Sequence, residues 1–133
     1  MIATFLIIIL SLISMDKTYE RADFQWKNRL VLIGGSNESL IRNQVEAFRK
    51  SPDQLEDRKL MVFFWDFEKE GFIEIKKGFR LTDNNFKEGF NLKLYGLDGG
   101  EKRHAKDVIP PQMIYDLIDS MPMRVRELRN RKE

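Results

Sequence analysis

The side chains able to do chemistry are few in this chain, and they lie far apart. Ser36 follows a glycine pair in Gly34-Gly35-Ser36-Asn37, three carboxylates cluster at Asp66, Glu68 and Glu70, and the one imidazole is His104. A serine nucleophile needs a general base beside it and a third group to orient that base. The segment around Ser36 is not the G-x-S-x-G elbow that presents such a nucleophile. His104 falls on a polar stretch next to a turn sequence and reads as a solvated edge residue. Ser36 therefore reads first as a helix N-cap, a position serine favours. The same four residues at a helix N-terminus could also cradle an anion on free N–H groups. They lack the lysine of a Walker loop and the spacing of a dinucleotide fingerprint.

Paired carboxylates can do acid–base work, and Asp66 with Glu68 and Glu70 offers that composition. Lys69 interrupts the cluster and Gly71 follows it, the pattern of a solvated turn. There is no cysteine, which removes disulfides, thiolate nucleophiles and thiolate metal sites. A zinc or haem site built on two imidazoles cannot form from one histidine in one chain. Asp98-Gly99-Gly100 offers too few oxygens for calcium and reads as turn chemistry, with glycine where φ is positive. No metal and no cofactor is expected.

The remaining candidate surface is basic. The last eleven residues, 123–133, hold Arg124, Arg126, Arg129, Arg131 and Lys132 against Glu127 and Glu133, a formal +3. The whole chain carries only +2, so the rest sums to −1. That balance does not suggest a sequence-specific nucleic-acid binder. Lys102, Arg103 and Lys106 with Arg124, Arg126, Arg129 and Arg131 could form a surface for phospholipid headgroups, an acidic glycan or an acidic protein. The plainer reading is a helix extension or frayed terminus with solvated charges.

The elements that must position these residues follow from hydrophobic pattern. The 133 residues are 42% hydrophobic and 11% aromatic, enough for one domain with a core of its own. Leu30-Val31-Leu32-Ile33 is a buried strand ended by the Gly34-Gly35 turn. Ser36 caps a helix whose apolar face is Leu40, Ile41, Val45 and Phe48, with Arg49 and Lys50 in its last turn and Pro52 closing it. Leu60-Met61-Val62-Phe63-Phe64-Trp65 is a central strand covered on both faces. Phe72-Ile73-Glu74-Ile75 is a shorter strand, and Thr82 or Asp83 caps a short helix holding Phe86 and Phe90. Residues 92–97 alternate with period two, Asp98-Gly99-Gly100 turns the chain, and residues 101–105 return as a polar edge strand. Pro110-Pro111 opens a last helix with Ile114, Leu117, Ile118 and Met121 on one face, which Pro122 interrupts or ends. No internal repeat or low-complexity tract is present. The order predicts an α/β fold of the thioredoxin-like plan: a mixed sheet with a parallel βαβ unit, then a C-terminal antiparallel hairpin and helix.

Three segments carry a resemblance: Trp26-Lys27-Asn28-Arg29-Leu30-Val31-Leu32-Ile33, Leu94-Tyr95-Gly96-Leu97-Asp98-Gly99-Gly100-Glu101-Lys102-Arg103, and Ile118-Asp119-Ser120-Met121-Pro122-Met123-Arg124. Together they resemble the domain of unknown function 4174 family, from Trp26 to about Arg124. The resemblance implies a thioredoxin-like, distantly peroxiredoxin-related domain of the kind shared by bacterial proteins and extracellular sushi-repeat animal proteins. It implies no catalytic residues. In a thioredoxin or peroxiredoxin the reactive cysteine would follow the first central strand, where this chain has Gly34-Gly35-Ser36-Asn37. A serine hydroxyl does not replace a thiolate, so thiol–disulfide exchange and thiol peroxidase chemistry are excluded.

Residues 2–13 are almost purely apolar, and no charged side chain precedes Asp16. The run is shorter than the roughly 20 residues a spanning helix needs. It fits the apolar region of an export signal, about 7–15 residues long. Leu12 and Ser14 would flank a cleavage after Ser14, although Leu12 is not small and no Lys or Arg precedes the run. A buried first strand, or translation from Met15, are the other readings. Asn37-Glu38-Ser39 matches a glycosylation acceptor, relevant only in a secretory eukaryotic setting. The expected organisation is an export signal or membrane tether at 1–14, a lead-in at 15–25, a thioredoxin-like domain at 26–122 and a basic tail at 123–133. The expected product is a periplasmic, secreted or tethered binding module without thiol chemistry. The alternative is a non-thiol enzyme with a pocket near Ser36 and Asp66.

Overall fold

Two continuous apolar runs require cover on both faces, and they become adjacent parallel strands at the centre of a sheet. The computed structural model describes residues 17–83 and 88–132. In it the chain passes through β1 (Thr18–Glu20), a 3-10 turn (Arg21–Phe24), β2 (Arg29–Gly35), α1 (Glu38–Arg49), α2 (Pro52–Asp57), β3 (Leu60–Asp66) and β4 (Gly71–Glu74). It continues through β5 (Arg80–Thr82), β6 (Phe90–Tyr95), β7 (Glu101–Ala105), α3 (Pro111–Asp119) and α4 (Pro122–Lys132). The seven strands form one sheet in the order β1-β5-β4-β3-β2-β6-β7.

Strands β2 and β3 pair in parallel, with Val31 opposite Val62 and Leu32 opposite Phe63. β6 pairs antiparallel to β2 and β7 antiparallel to β6. This βαβ unit followed by a ββα unit is the thioredoxin-like plan. β4 and β5 extend the sheet antiparallel beyond β3, and β1 closes that edge in parallel with β5.

Period-two alternation divides the core between the two faces. One face carries Val31, Ile33, Val62, Leu92 and Leu94, and helices α1 and α3 cover it with Ile41, Val45, Phe48, Ile114 and Ile118. The other carries Leu30, Leu32, Phe63, Phe72, Leu81 and Tyr95, packed with Phe24 of the 3-10 turn. Arg21 stacks on the Tyr95 ring there, its guanidinium carbon 4.2 Å from the centroid.

Several local readings change. Gly34 and Gly35 lie inside β2 rather than in a turn after it. Phe90 opens β6 and is not helical, while Phe86 lies outside the described residues. Every position of β6 is buried, Lys93 included, because both faces of the sheet are covered. Pro52 and Pro122 each start a further helix, since proline suits the first turn as well as it stops the preceding one. Residues 122–132 are thus helical and docked, and no helix among the described residues is long and apolar enough to cross a membrane. The expectations on residues 1–14 and Met15 lie outside the described residues.

Candidate functional site

The β2–α1 junction is where the thioredoxin-like plan would hold a reactive side chain, and here its polar groups serve the backbone. Gly35 has φ +129°, and a Cβ added to it would stand 2.1 Å from the Gly89 carbonyl oxygen. Only glycine permits that approach. The Asn37 N–H donates to the Gly89 carbonyl at 2.9 Å, and the Gly89 N–H donates to Ser36 Oγ at 2.8 Å. Asn37, not Ser36, is the N-cap, its Oδ1 accepting the Leu40 N–H at 3.1 Å. The cap moves by one residue because the Ser36 hydroxyl is already engaged across the loop. Among the described residues that bond to Gly89 is the one hydrogen bond of the Ser36 hydroxyl, and none of them offers it a base within hydrogen-bond distance. His104 is half-buried, with Nε2 2.8 Å from Asn91 Oδ1, rather than solvated.

Asp66 is held by its own turn: Oδ1 accepts the N–H groups of Glu68 at 2.9 Å and Lys69 at 3.2 Å. The groove that Asp66 lines runs along α1 past Glu38, Arg42 and Glu46 and does not include Ser36. Among the described residues no three His, Asp or Glu side chains are placed to hold a metal ion.

The basic residues divide into separate groups. Arg124 is a correction: it is 1% exposed and belongs to no open surface. Its Nη2 meets Asp57 Oδ2 at 2.7 Å, its Nη1 the Asp57 carbonyl at 2.9 Å, and its Nε Asp119 Oδ1 at 3.1 Å. Asp119 is also gripped by Arg58 through two bonds, and Asp57 by Arg131 at 2.6 Å. Glu127 reaches both Arg124 and the buried Arg29. Arg124 and then Arg131 hold the Asp57 carboxyl below its usual range. Burial pushes Asp119 upward, and the hydrogen bonds from Arg58 and Arg124 outweigh it, leaving the carboxyl below the usual range. This network pins α4 to α2 and α3. Lys102 bridges Asp98 at 2.9 Å, Arg103 is half-buried, and Arg126, Arg129 and Lys106 remain exposed. The network was not legible in advance, because its carboxylates come from three helices.

The hairpin turn is built as its composition suggests. Gly99 has φ +83°, and Asp98 Oδ1 accepts the Gly100 N–H at 2.9 Å. That bond, with the Lys102 ammonium, lowers the Asp98 pKa. The segment before β2 docks on the hairpin: the Trp26 N–H donates to the Leu97 carbonyl at 2.7 Å and Gln25 Nε2 to the Asp98 carbonyl at 2.9 Å. A cavity of about 450 Å³ beside them is lined by Arg29, Leu97, Lys102, Met121 and Met123. The three segments singled out in the sequence therefore meet at one end of the sheet. Trp26 stands there 63% exposed at φ +68°, a costly conformation for a bulky residue.

A larger cleft, about 690 Å³, opens where β3 begins, at the end of the sheet opposite Ser36. Its apolar lining is Leu55, Met61, Ile75 and Phe79, backed by the buried Phe24 and Val62, and Arg49, Lys59, Lys76 and Lys77 stand around it with Glu56 and Glu74. No sequence motif marks it, because its walls come from three separated stretches of chain, 24–28, 49–62 and 74–79.

The chain belongs to the family described as Domain of unknown function (DUF4174), whose model matches residues 21–127. Among curated proteins no sequence matches it. Among solved structures it is similar to the mitochondrial 2-cys peroxiredoxin from Plasmodium falciparum, at 15% sequence identity and a TM-score of 0.49, over 74% of this chain and 78% of that one.

Proposed function

We propose that this member of the family is a non-catalytic binding module, exported from the cytoplasm and held in the envelope or released outside. The observation that carries the reading is the state of the β2–α1 junction. There Ser36, Asn37 and Gly35 are each committed to Gly89 or to the helix cap. A fold that uses its reactive position for backbone bonds has its recognition surface elsewhere. The enzymatic alternative loses support because no base bonds Ser36 among the described residues and Asp66 closes a turn in a different groove. The large apolar cleft at the far end has the size and lining of a ligand site. Export rests on the apolar run at residues 2–13.

Two measurements test this. The intact protein is exposed to a serine-directed fluorophosphonate, and no adduct is expected by mass. An adduct at Ser36 that Ser36→Ala removes would overturn the non-catalytic reading. Intact mass on fractionated cells then reads the N-terminus. A chain starting near Met15 in an envelope or secreted fraction supports a cleaved signal, and an intact Met1 in membranes supports a tether. A cytosolic chain sinks the export proposal.

A further inference from the structure

The cleft at the start of β3 has a chemistry that narrows what it would hold. Its accessible floor is hydrocarbon and aromatic carbon from Met61 and Phe79, with Leu55 and Ile75 beside them, while Phe24 and Val62 are buried behind it. Its charged rim is biased toward cations. Lys59, Lys76 and Lys77 are exposed, and none forms an ion pair among the described residues. The nearby carboxylates do not neutralise them. Glu74 is buried, and its carboxylate accepts the backbone N–H groups of Lys76 and Lys77, which fixes it in the turn. Glu56 is the one exposed carboxylate of the rim. Arg49, the fourth cation, is paired with Glu46 on its own helix.

An apolar floor takes up alkyl or aromatic surface in proportion to the area removed from water. Unpaired ammonium groups at the mouth attract an anion, and lysine serves as a mobile point charge on a flexible stem. A neutral apolar ligand would leave the three lysines unused, and a cation would be repelled by them. Resting on the binding-module reading, we infer that the cleft takes a small amphipathic anion, for which a medium-chain alkyl carboxylate is the simplest representative. The alkyl chain lies on Met61 and Phe79, and the carboxylate meets Lys76, Lys77 or Lys59.

The test titrates the full-length protein by calorimetry with decanoate, decanol and decyltrimethylammonium, beside the K76E/K77E double variant. Both lysines are exposed, so the variant is expected to keep the parent's melting temperature. Decanoate is expected to bind tightest. The double charge reversal should weaken decanoate about tenfold, the scale of a few exposed charge interactions, while leaving decanol unchanged. High salt should shrink the preference for decanoate. If decanol equals decanoate, or the double variant binds decanoate as well as the parent does, the anion assignment is overturned while the cleft stands as an apolar binding site. If none of the three binds, the ligand class and the cleft are both wrong. The non-catalytic reading is then decided separately, by the fluorophosphonate result.

Discussion

Replacing Arg124 with methionine tests whether the C-terminal helix is a docked part of the domain. The guanidinium is 1% exposed and makes bonds to Asp57, Asp119 and Glu127. Methionine keeps much of the apolar stem but leaves three carboxylates without their shared cation. Removing one partner of a fully buried ion pair costs about 3–5 kcal/mol. The carboxylate side chains are not fully buried: Asp57 is 41% exposed and Asp119 34%. Each also keeps a second arginine, Arg131 for Asp57 and Arg58 for Asp119. Discounting for that rehydration leaves about 2 kcal/mol for Arg124→Met. At a urea slope near 2 kcal/mol per molar, the midpoint falls by about 1 M. The assay is urea unfolding followed by circular dichroism and tryptophan fluorescence, with Asp119→Asn completing a double-mutant cycle. A coupling of about 1 kcal/mol is expected between the two positions. A midpoint unchanged in Arg124→Met, or a coupling of zero, would refute the argument that this network docks α4.

Three further outcomes follow from the same geometry. Gly35→Ala places a methyl group 2.1 Å from the Gly89 carbonyl oxygen at φ +129° and is expected to destabilise by about 3 kcal/mol or more, read by thermal unfolding. Gln44 is fully buried and bonds both the N–H and the carbonyl of Ile109 at 2.9 Å, so Gln44→Leu should cost about 2–3 kcal/mol and increase amide exchange at Ile109. Acid should loosen the C-terminal network: Asp57 and Asp119 have lowered pKa values, so their contribution is complete above the unfolded carboxylate value of about 3.9 and is lost as pH falls through the lower folded values. Arg124 has a raised pKa and stays charged throughout that window. Stability measured against pH should therefore fall more steeply below pH about 4 in the parent than in Arg124→Met, and parallel curves would contradict the assignment.

What the sequence discloses depends on how local the determining physics is. β2 and β3 are legible because an unbroken run such as Leu60-Met61-Val62-Phe63-Phe64-Trp65 has no solvated face to offer. α1 and α3 are legible from the spacing of Ile41, Val45 and Phe48 and of Ile114 and Ile118, and the hairpin from Asp98-Gly99-Gly100. β1 and β5 are three residues each, too short for any period, and exist through their pairing of Tyr19 with Leu81. α4 has charge around most of its circumference and reads as a solvated tail. Its docking turns on Arg124 finding Asp57 and Asp119, which pattern alone does not reveal. The exchange of Ser36 for Asn37 as the cap has the same origin, since Gly89, far along the chain, claims the serine hydroxyl.

The two ends of the central strands have opposite characters, and strand length accounts for the difference. At the C-terminal end of β2, the Gly35–Asn37 segment is bonded to Gly89 on both its donor and acceptor sides. At the N-terminal end, β3 spans seven residues but β4 only four, and their register stops at Phe63 opposite Glu74. A single bond from the Ile75 N–H to the Val62 carbonyl follows, and the chain then turns away at Lys76. Leu60 and Met61 consequently lack a strand neighbour on that side among the described residues, and the helix that Pro52 starts stands beside them with Leu55. Lengthening β4 by two paired residues would fill the cleft with main chain and carry Lys76 and Lys77 away from its mouth. The early turn after Glu74, fixed by its carboxylate on two backbone N–H groups, thus makes the cleft and sets its charge in one step.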